Sequence, residues 1–389
     1  MSLPASEKQL KIRRCGFAAS YLAACALSDI TPQLDETVDQ QELYRFCKFH
    51  SITSIVAMAM ERYWKEHPGD PELMKKWCRD RDQAIRKNVL LNAERERILN
   101  HLESIGCWYL PLKGSLLQYD YPKFGMRQMS DNDILYNEAK TAEVHAFMLQ
   151  NGYEAVTYLK GNHDEYVKKP VYNMEMHRSL FMGAVNPEMA AYYRDVENRM
   201  CKDDGNRFGY HFSREDFYIF LVAHAYKHYL HGGIGIRNLL DVFVYTEKYR
   251  DCLDWTYLEK EIRSFGAWEF DEECRRLSRK LLSPEGKRDN LSEAEIHALD
   301  IYFSSGAFGT SDRVVANKLE TCGNGRGGKL RYLFRRMFPS VEYLAENAPI
   351  LRTKPWLAPF FYVKRFFIVL FERRKFITEE LRILLKLKK

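Results

Sequence analysis

The hydrophobic period changes twice along this chain, and that limits the folds open to it more than any other feature. Over roughly the first hundred residues, apolar side chains recur three and four apart, the spacing of helices with one buried face. The segments are LKIRRCGFAASYLAACAL, the continuous stretch QELYRFCKFHSITSIVAMAMERYWKEH, and a third running from Glu72 through RDQAIRKNVLLNAERERILNHLESIG. His67-Pro68-Gly69-Asp70-Pro71 breaks the second from the third, and Gly106 supplies a C-cap. The pattern then shortens. CWYLPLKG is a brief apolar run ending in glycine, and MSDNDILY and VYNMEMHRSLF have strand-like character. SLLQYDYP offers a turn or two of helix before Pro122, and EAKTAEVHAFMLQNGY a longer helix. From Ser213 the helical period returns in REDFYIFLVAHAYKHYLHG, IRNLLDVFVYTEKY and EKEIRSFGAWEFDEECRRLSRKLL.

Helices, then mixed strands and helices, then helices predict an α+β protein: a small mixed β-sheet core embedded in α-helical N- and C-terminal regions. The expected division is a helical arm over 1–95, a sheet core over 96–185, a helical domain over 186–310 and a basic helical region over 311–389. TCGNGRGGK, with four glycines in nine residues, is expected to be a loop near the last boundary.

The start of the chain places charges where an export signal needs an apolar run, and the longest apolar stretches are too short to span a bilayer. Nine scattered cysteines contain no CxxC pair, so neither a zinc ribbon nor a disulfide framework is supported. The expectation is a cytoplasmic protein with reduced thiols. The net charge of +6 is unevenly spread: residues 329–389 carry 15 Lys and Arg against 5 Asp and Glu, so the rest of the chain is net negative. The basic tail mixes its charges with aromatics in KPWLAPFFYVKRFFIVLFERRKFITEELRILLKLKK. Such a segment suits an anionic membrane, an RNA backbone, or packing with a solvated basic face, and the peripheral membrane and RNA readings both stay open.

The stretch that carries chemistry is LKGSLLQYDYPKFGMRQMSDNDILY. Asp131 and Asp133 are two apart, so on a strand both carboxylates leave the same face. Their repulsion is relieved by a divalent cation, and Mg2+ is typically held by a few carboxylates together with substrate phosphates. A third carboxylate is expected from a neighbouring strand. Glu175 qualifies, flanked by Met174 and Met176, which would point into a core; Asp164 and Glu165 are the rivals.

An apolar strand ending in a Gly–Ser turn, then a DxD pair, then an acid between apolar residues resembles the nucleotidyltransferase fold of the DNA polymerase β-like superfamily. Leu112-Lys113-Gly114, Tyr121-Pro122, Arg127, Ser130-Asp131, Asp133 and Glu175-Met176-His177 are similar to the family called uncharacterised nucleotidyltransferase. So are His224-Ala225-Tyr226-Lys227-His228, Gly235-Ile236-Arg237 and Asp241. The resemblance covers roughly residues 40–250. It implies that Asp131, Asp133 and Glu175 bind Mg2+ or Mn2+, and that Gly114 and Ser115 hold a nucleoside triphosphate such as ATP. Lys113 and Arg127 lie beside the expected triphosphate site, where they either neutralise phosphate charge or are a solvated lysine and a structural arginine paired with a nearby acid, and Lys227 would reach the phosphates from the helical domain. The acceptor is open: a small molecule or sugar, or tRNA or protein for a toxin-like enzyme. A catalytically inactive nucleotide-binding scaffold is the third reading.

Asn132 departs from the family, which usually has an apolar residue there; its polarity suggests either an inner face that is less dry or an amide that finds a backbone partner. Arg237 and Asp241, one helical turn apart, are expected to pair. His224 and His228 have the spacing of a zinc pair but lack an acid between them, which favours packing or hydrogen bonding at a helix end, or His228 reaching phosphate alongside Lys227.

Overall fold

In the computed structural model, residues 6–384 are described apart from 36, 284–289, 308, 321, 324, 349, 372–377 and 379. Four helices open the chain: α1 (Glu7–Leu27), α2 (Gln40–Phe49), α3 (Thr53–Glu66) and α4 (Pro71–Ser104). The stretch expected as one helix is two, α2 and α3. Ser51 takes the left-handed conformation (φ 55°), and the Ile52 N–H returns to the Cys47 carbonyl at 3.0 Å. The break lets both helices lay apolar faces on α1, which an uninterrupted period cannot reveal. Helix α4 follows its sequence cues. Asp70 caps Glu72 N–H, Pro71 opens the first turn, and Gly106 beyond its end has φ 66°.

The sheet then forms from β1 (Tyr109–Leu112), β2 (Asn132–Tyr136), β3 (Glu154–Thr157), β4 (His163–Lys168) and β5 (Tyr172–His177). Its order is β1-β2-β5-β4-β3, with β2 and β5 parallel and the other neighbours antiparallel. The short helix α5 (Gly114–Leu117) follows β1, and α6 (Thr141–Gln150) links β2 to β3. The α+β expectation therefore holds. Strands β3 and β4 were not foreseen; they are short, and neither EAVT nor HDEYVK alternates apolar with polar residues.

One face of the sheet is the floor of a core. Ile134 and Tyr136 of β2, Tyr166 of β4 and Met174 and Met176 of β5 pack with Ile98, Leu99 and Leu102 of α4 and Val144 and Met148 of α6. The methionines beside Glu175 thus point inward as expected. Asn132, completely buried, donates its amide to the Leu91 carbonyl at 2.8 Å, the backbone partner its polarity required.

Past α7 (Pro187–Tyr192) and a hairpin of β6 (Met200–Lys202) and β7 (Tyr210–Phe212), helices resume. They are α8 (Arg214–His231), α9 (Ile236–Lys248), α10 (Trp255–Ser264), α11 (Trp268–Leu282) and α12 (Glu293–Ser305). EKEIRSFGAWEFDEECRRLSRKLL is likewise two helices, divided at Gly266 with φ 74°. Leu22 of α1, Val56 of α3, Tyr218 of α8, Leu239 of α9, Leu277 of α11 and Phe303 of α12 belong to one continuous core. The N-terminal arm and the helices after the sheet are therefore packed together.

The C-terminal region continues as α13 (Ser311–Glu320), α14 (Gly325–Met337), α15 (Val341–Asn347), α16 (Ile350–Thr353) and α17 (Ala358–Phe371). Part of the glycine run lies inside α14, where a loop was expected, and positions 321 and 324 fall outside the described residues. Phe360, Val363, Phe367 and Phe371 of α17 are each more than half exposed, as are Leu330 and Phe334 of α14. Among the described residues, no helix is long and apolar enough to cross a membrane.

Candidate active site

Strand register builds the site. Leu112 of β1 pairs with Asp133 of β2, Asp133 with Glu175 of β5, and Glu175 with Glu165 of β4. Directly paired residues share a face, so Asp133, Glu175 and Glu165 form a row opposite the methionine core. Asp131, just before β2, lies within electrostatic reach of both Asp133 and Glu175. Asp164 points the other way. It is fully buried, with Arg178 at 3.2 Å and the Leu159 N–H at 2.7 Å.

Lys113 is the turn residue after β1 and has φ 51°, strained for a side chain with a Cβ. The turn sends its ammonium into the acids, with Nζ 2.5 Å from Asp133 Oδ1 and 4.0 Å from Glu175 Oε2. His177 Nε2 stands 2.9 Å from the same Asp133 oxygen and 3.4 Å from Glu175 Oε2. Asp133 is only 3% exposed and forms the floor, while the side chains of Glu175 (21%) and Lys113 (15%) border the open side.

These contacts split the two aspartates. Burial alone would raise Asp133, but Lys113 and the hydrogen bond from His177 outweigh it and hold that carboxyl well below the usual range. Asp131 is pushed up to about 6 by burial first and by the Asp133 charge second. Burial would lower Lys113, yet the charges of Asp133, Glu175 and Asp131 hold it above the ordinary lysine value. Lys227, on α8, is pushed down to about 8 by burial and then by Lys113, while Asp133 and Glu175 oppose the shift. It therefore faces the carboxylates from the helical side.

The remaining expected residues stand behind this group. A side chain at Gly114 would collide with the Arg127 guanidinium, so glycine here serves a close approach. Ser115 is buried, with its hydroxyl donated to the Leu112 carbonyl at 2.6 Å. Arg127 Nε and Nη2 donate to the two oxygens of Asp241, each at 2.9 Å, and Tyr121 Oη donates to Asp241 Oδ1 at 2.7 Å. The bidentate partner of Asp241 is Arg127, through fork-to-carboxylate geometry, and Arg237, the partner expected from the helical spacing, lies within electrostatic reach of the same carboxylate. Arg237 Nη1 reaches Ser130 Oγ at 3.4 Å, beside Asp131.

Helix α4 holds the loop before β2. Lys87 Nζ donates to the Ser130 carbonyl at 2.8 Å, and Asn88 donates to the Arg127 carbonyl and accepts from Met129 N–H. Sequence reasoning gave these two residues no role, because a polar residue on a long helix carries no mark of its distant partner.

His224 and His228 sit with Nε2 atoms 3.1 Å apart, each pushed down chiefly by burial. Among the described residues they belong to no group able to share an ion. His163, Glu175 and His177 do form one, with ligand atoms all within 4.8 Å of one another. His163 lay on a strand the sequence did not disclose. His177 was visible two residues after Glu175, a spacing that places both on one face.

A row of acids with an ammonium wedged among them fits a divalent cation: the lysine stands where positive charge is needed, and Asp131 is ionised against its own surroundings. No curated protein and no solved structure matches the chain. Residues 36–283 match the family described as uncharacterised nucleotidyltransferase. That span, 248 of the 389 residues, contains every strand and every site residue named above, and the chain belongs to the uncharacterised nucleotidyltransferase family.

Proposed function

We propose that the protein moves a nucleoside monophosphate from a nucleoside triphosphate to a hydroxyl or phosphate of a small molecule or sugar, releasing pyrophosphate. The observation that carries the reading is the pairing of Asp133 with Glu175 across two parallel strands, with Asp131 at the same end. Asp131, Asp133 and Glu175 would hold Mg2+ or Mn2+, which when bound neutralises phosphate charge and acidifies the attacking hydroxyl.

The chain's own groups do the rest. Lys113, once freed from Asp133, and Lys227 present ammonium groups to the phosphate oxygens. Arg127 works indirectly, clamping Asp241 and seating Gly114 so that the turn bearing Lys113 keeps its shape. Glu175, more exposed than Asp133, takes the acceptor proton. The acceptor oxygen then bonds to the α-phosphorus as the bond to the pyrophosphate oxygen breaks.

The test is transfer of label from α-labelled nucleoside triphosphates, with Mg2+ or Mn2+, into a fractionated cell extract. Label is expected among small metabolites. Its appearance in RNA or protein would select the toxin-like alternative, and no transfer to any fraction would leave the inactive scaffold.

The tail supports a recruiting role. Phe360, Val363, Phe367 and Phe371 recur three and four apart on α17, all exposed, in a region with an excess of ten basic residues. An exposed apolar stripe amid positive charge matches an anionic bilayer surface. Deleting residues 355–389 is expected to reduce pelleting with phosphatidylserine vesicles several-fold at low salt. Unchanged pelleting, or pelleting with RNA in place of vesicles, defeats this reading.

A further inference from the structure

The acid row is flanked by two imidazoles that carboxylate chemistry alone does not call for. His163 opens β4 and lies directly opposite His177 of β5, with ring centroids 4.9 Å apart. Both belong to the face that carries Glu175, since His177 follows Glu175 by two residues and His163 precedes Glu165 by two. Asn162 fixes which nitrogen of His163 is bare. Its amide nitrogen donates to the Ser179 carbonyl at 3.0 Å and the Leu180 carbonyl at 3.2 Å, so its oxygen is the atom turned to His163 Nδ1, at 3.4 Å. A ring nitrogen facing that oxygen carries the proton, and Nε2 keeps its lone pair. That lone pair lies 3.8 Å from Glu175 Oε2. A lone pair and a carboxylate oxygen repel at this range, and a cation between them turns the repulsion into coordination.

His177 plays a different part. Its Nδ1 faces the same Asn162 amide nitrogen, at 3.5 Å, and its Nε2 donates to Asp133 Oδ1 at 2.9 Å. It orients Asp133 and leaves the ligand position to His163.

We propose that the ion position at Glu175 takes His163 Nε2 as a nitrogen ligand, making the site mixed oxygen and nitrogen and selective for Mn2+ over Mg2+. This deepens the nucleotidyltransferase reading and rests on it. Mg2+ takes oxygen almost to the exclusion of nitrogen, whereas Mn2+ keeps carboxylate and phosphate ligands and accepts an imidazole as well. Replacing the histidine should therefore cost Mn2+ much and Mg2+ little.

The experiment is Mn2+ binding to the full chain, with and without a non-hydrolysable nucleoside triphosphate analogue, read by electron paramagnetic resonance. Pulsed spectra should show nitrogen coupling to Mn2+, converted to the 15N pattern when the wild-type protein is grown with 15N-histidine, a readout that needs no substitution. His163→Gln should abolish the coupling, weaken Mn2+ about tenfold or more, and leave Mg2+ competition nearly unchanged. Mn2+ bound without nitrogen coupling overturns the inference while sparing the three-carboxylate reading. Coupling that survives in His163→Gln and disappears in His177→Gln also overturns it. If Asp133→Asn leaves Mn2+ binding intact, the carboxylate reading itself fails.

Discussion

Asp133→Asn is expected to lower nucleotidyl transfer by about a thousandfold, equivalent to about 4 kcal/mol of transition-state stabilisation, while the protein stays folded. Asparagine keeps an oxygen for the Lys113 ammonium and for His177 Nε2, now 2.5 Å and 2.9 Å from the carboxylate. What it lacks is the charge that, on the proposed reading, draws an ion to the floor of the site. Alanine is a different experiment. It strips both partners at once and leaves a mostly buried ammonium with Glu175 at 4.0 Å and the charge of Asp131 as its counterweights, so a stability loss of about 3 kcal/mol accompanies the lost activity. Steady-state transfer of α-labelled nucleotide, run beside urea unfolding of both variants, separates the two effects. Near-normal transfer by Asp133→Asn would remove Asp133 from the chemistry.

Sequence made the acid row legible because the row depends on periods. Two residues apart on a strand means one face, and Met174 and Met176 flanking Glu175 tell which face. The helices were legible for the same reason. Their interruptions were not: at Ser51 and Gly266 the apolar rhythm runs through the break, and only packing reveals the turn. His163 escaped notice because HDEYVK is polar at most positions: the strand's two buried positions are Asp164 and Tyr166, so its alternation of burial leaves no apolar–polar alternation in the sequence. Arg127 and Asp241 are 114 positions apart, a pairing that spacing cannot reach. The local rule suggested Arg237 instead. Lys113 was visible as a base beside a turn, but its insertion among the acids depends on a left-handed backbone that sequence assigns to glycine, and Gly114 was the residue next to it.

Asp131→Asn is expected to abolish transfer and yet make the metal-free protein more stable at pH 7.5, by about 1–2 kcal/mol. The sign follows from the direction of the shift. Burial first, and then Asp133, raise the folded-state pKa of Asp131 to about 6 from 3.8. Between those values the folded chain binds more protons than the unfolded one, so stability falls as pH climbs from about 4 to about 6. Above pH 6 the whole penalty is present. Two units correspond to about 3 kcal/mol, reduced here because Asp131 is partly open to solvent. Asparagine carries no such penalty, so the two proteins should differ most above pH 6 and converge below about pH 4. Asp133 contributes with the opposite sign: its depressed pKa stabilises the fold above about pH 4, and that support is lost only as pH falls well below the ordinary carboxylate range. Two aspartates at one strand end thus pull against each other, one held by Lys113 and the other, on the proposed reading, reserved for the ion. Adding Mn2+ should reverse the ranking, since wild type gains binding free energy that the variant cannot. In wild type, Mn2+ affinity should rise with pH through about 6 as Asp131 of the metal-free site loses its proton. The measurement is urea unfolding of both proteins at pH 4, 5 and 7.5, in EDTA and in Mn2+. An Asp131→Asn protein less stable than wild type in EDTA at pH 7.5 would mean that its carboxylate is a structural ion-pair partner, with no charge held in reserve for a metal.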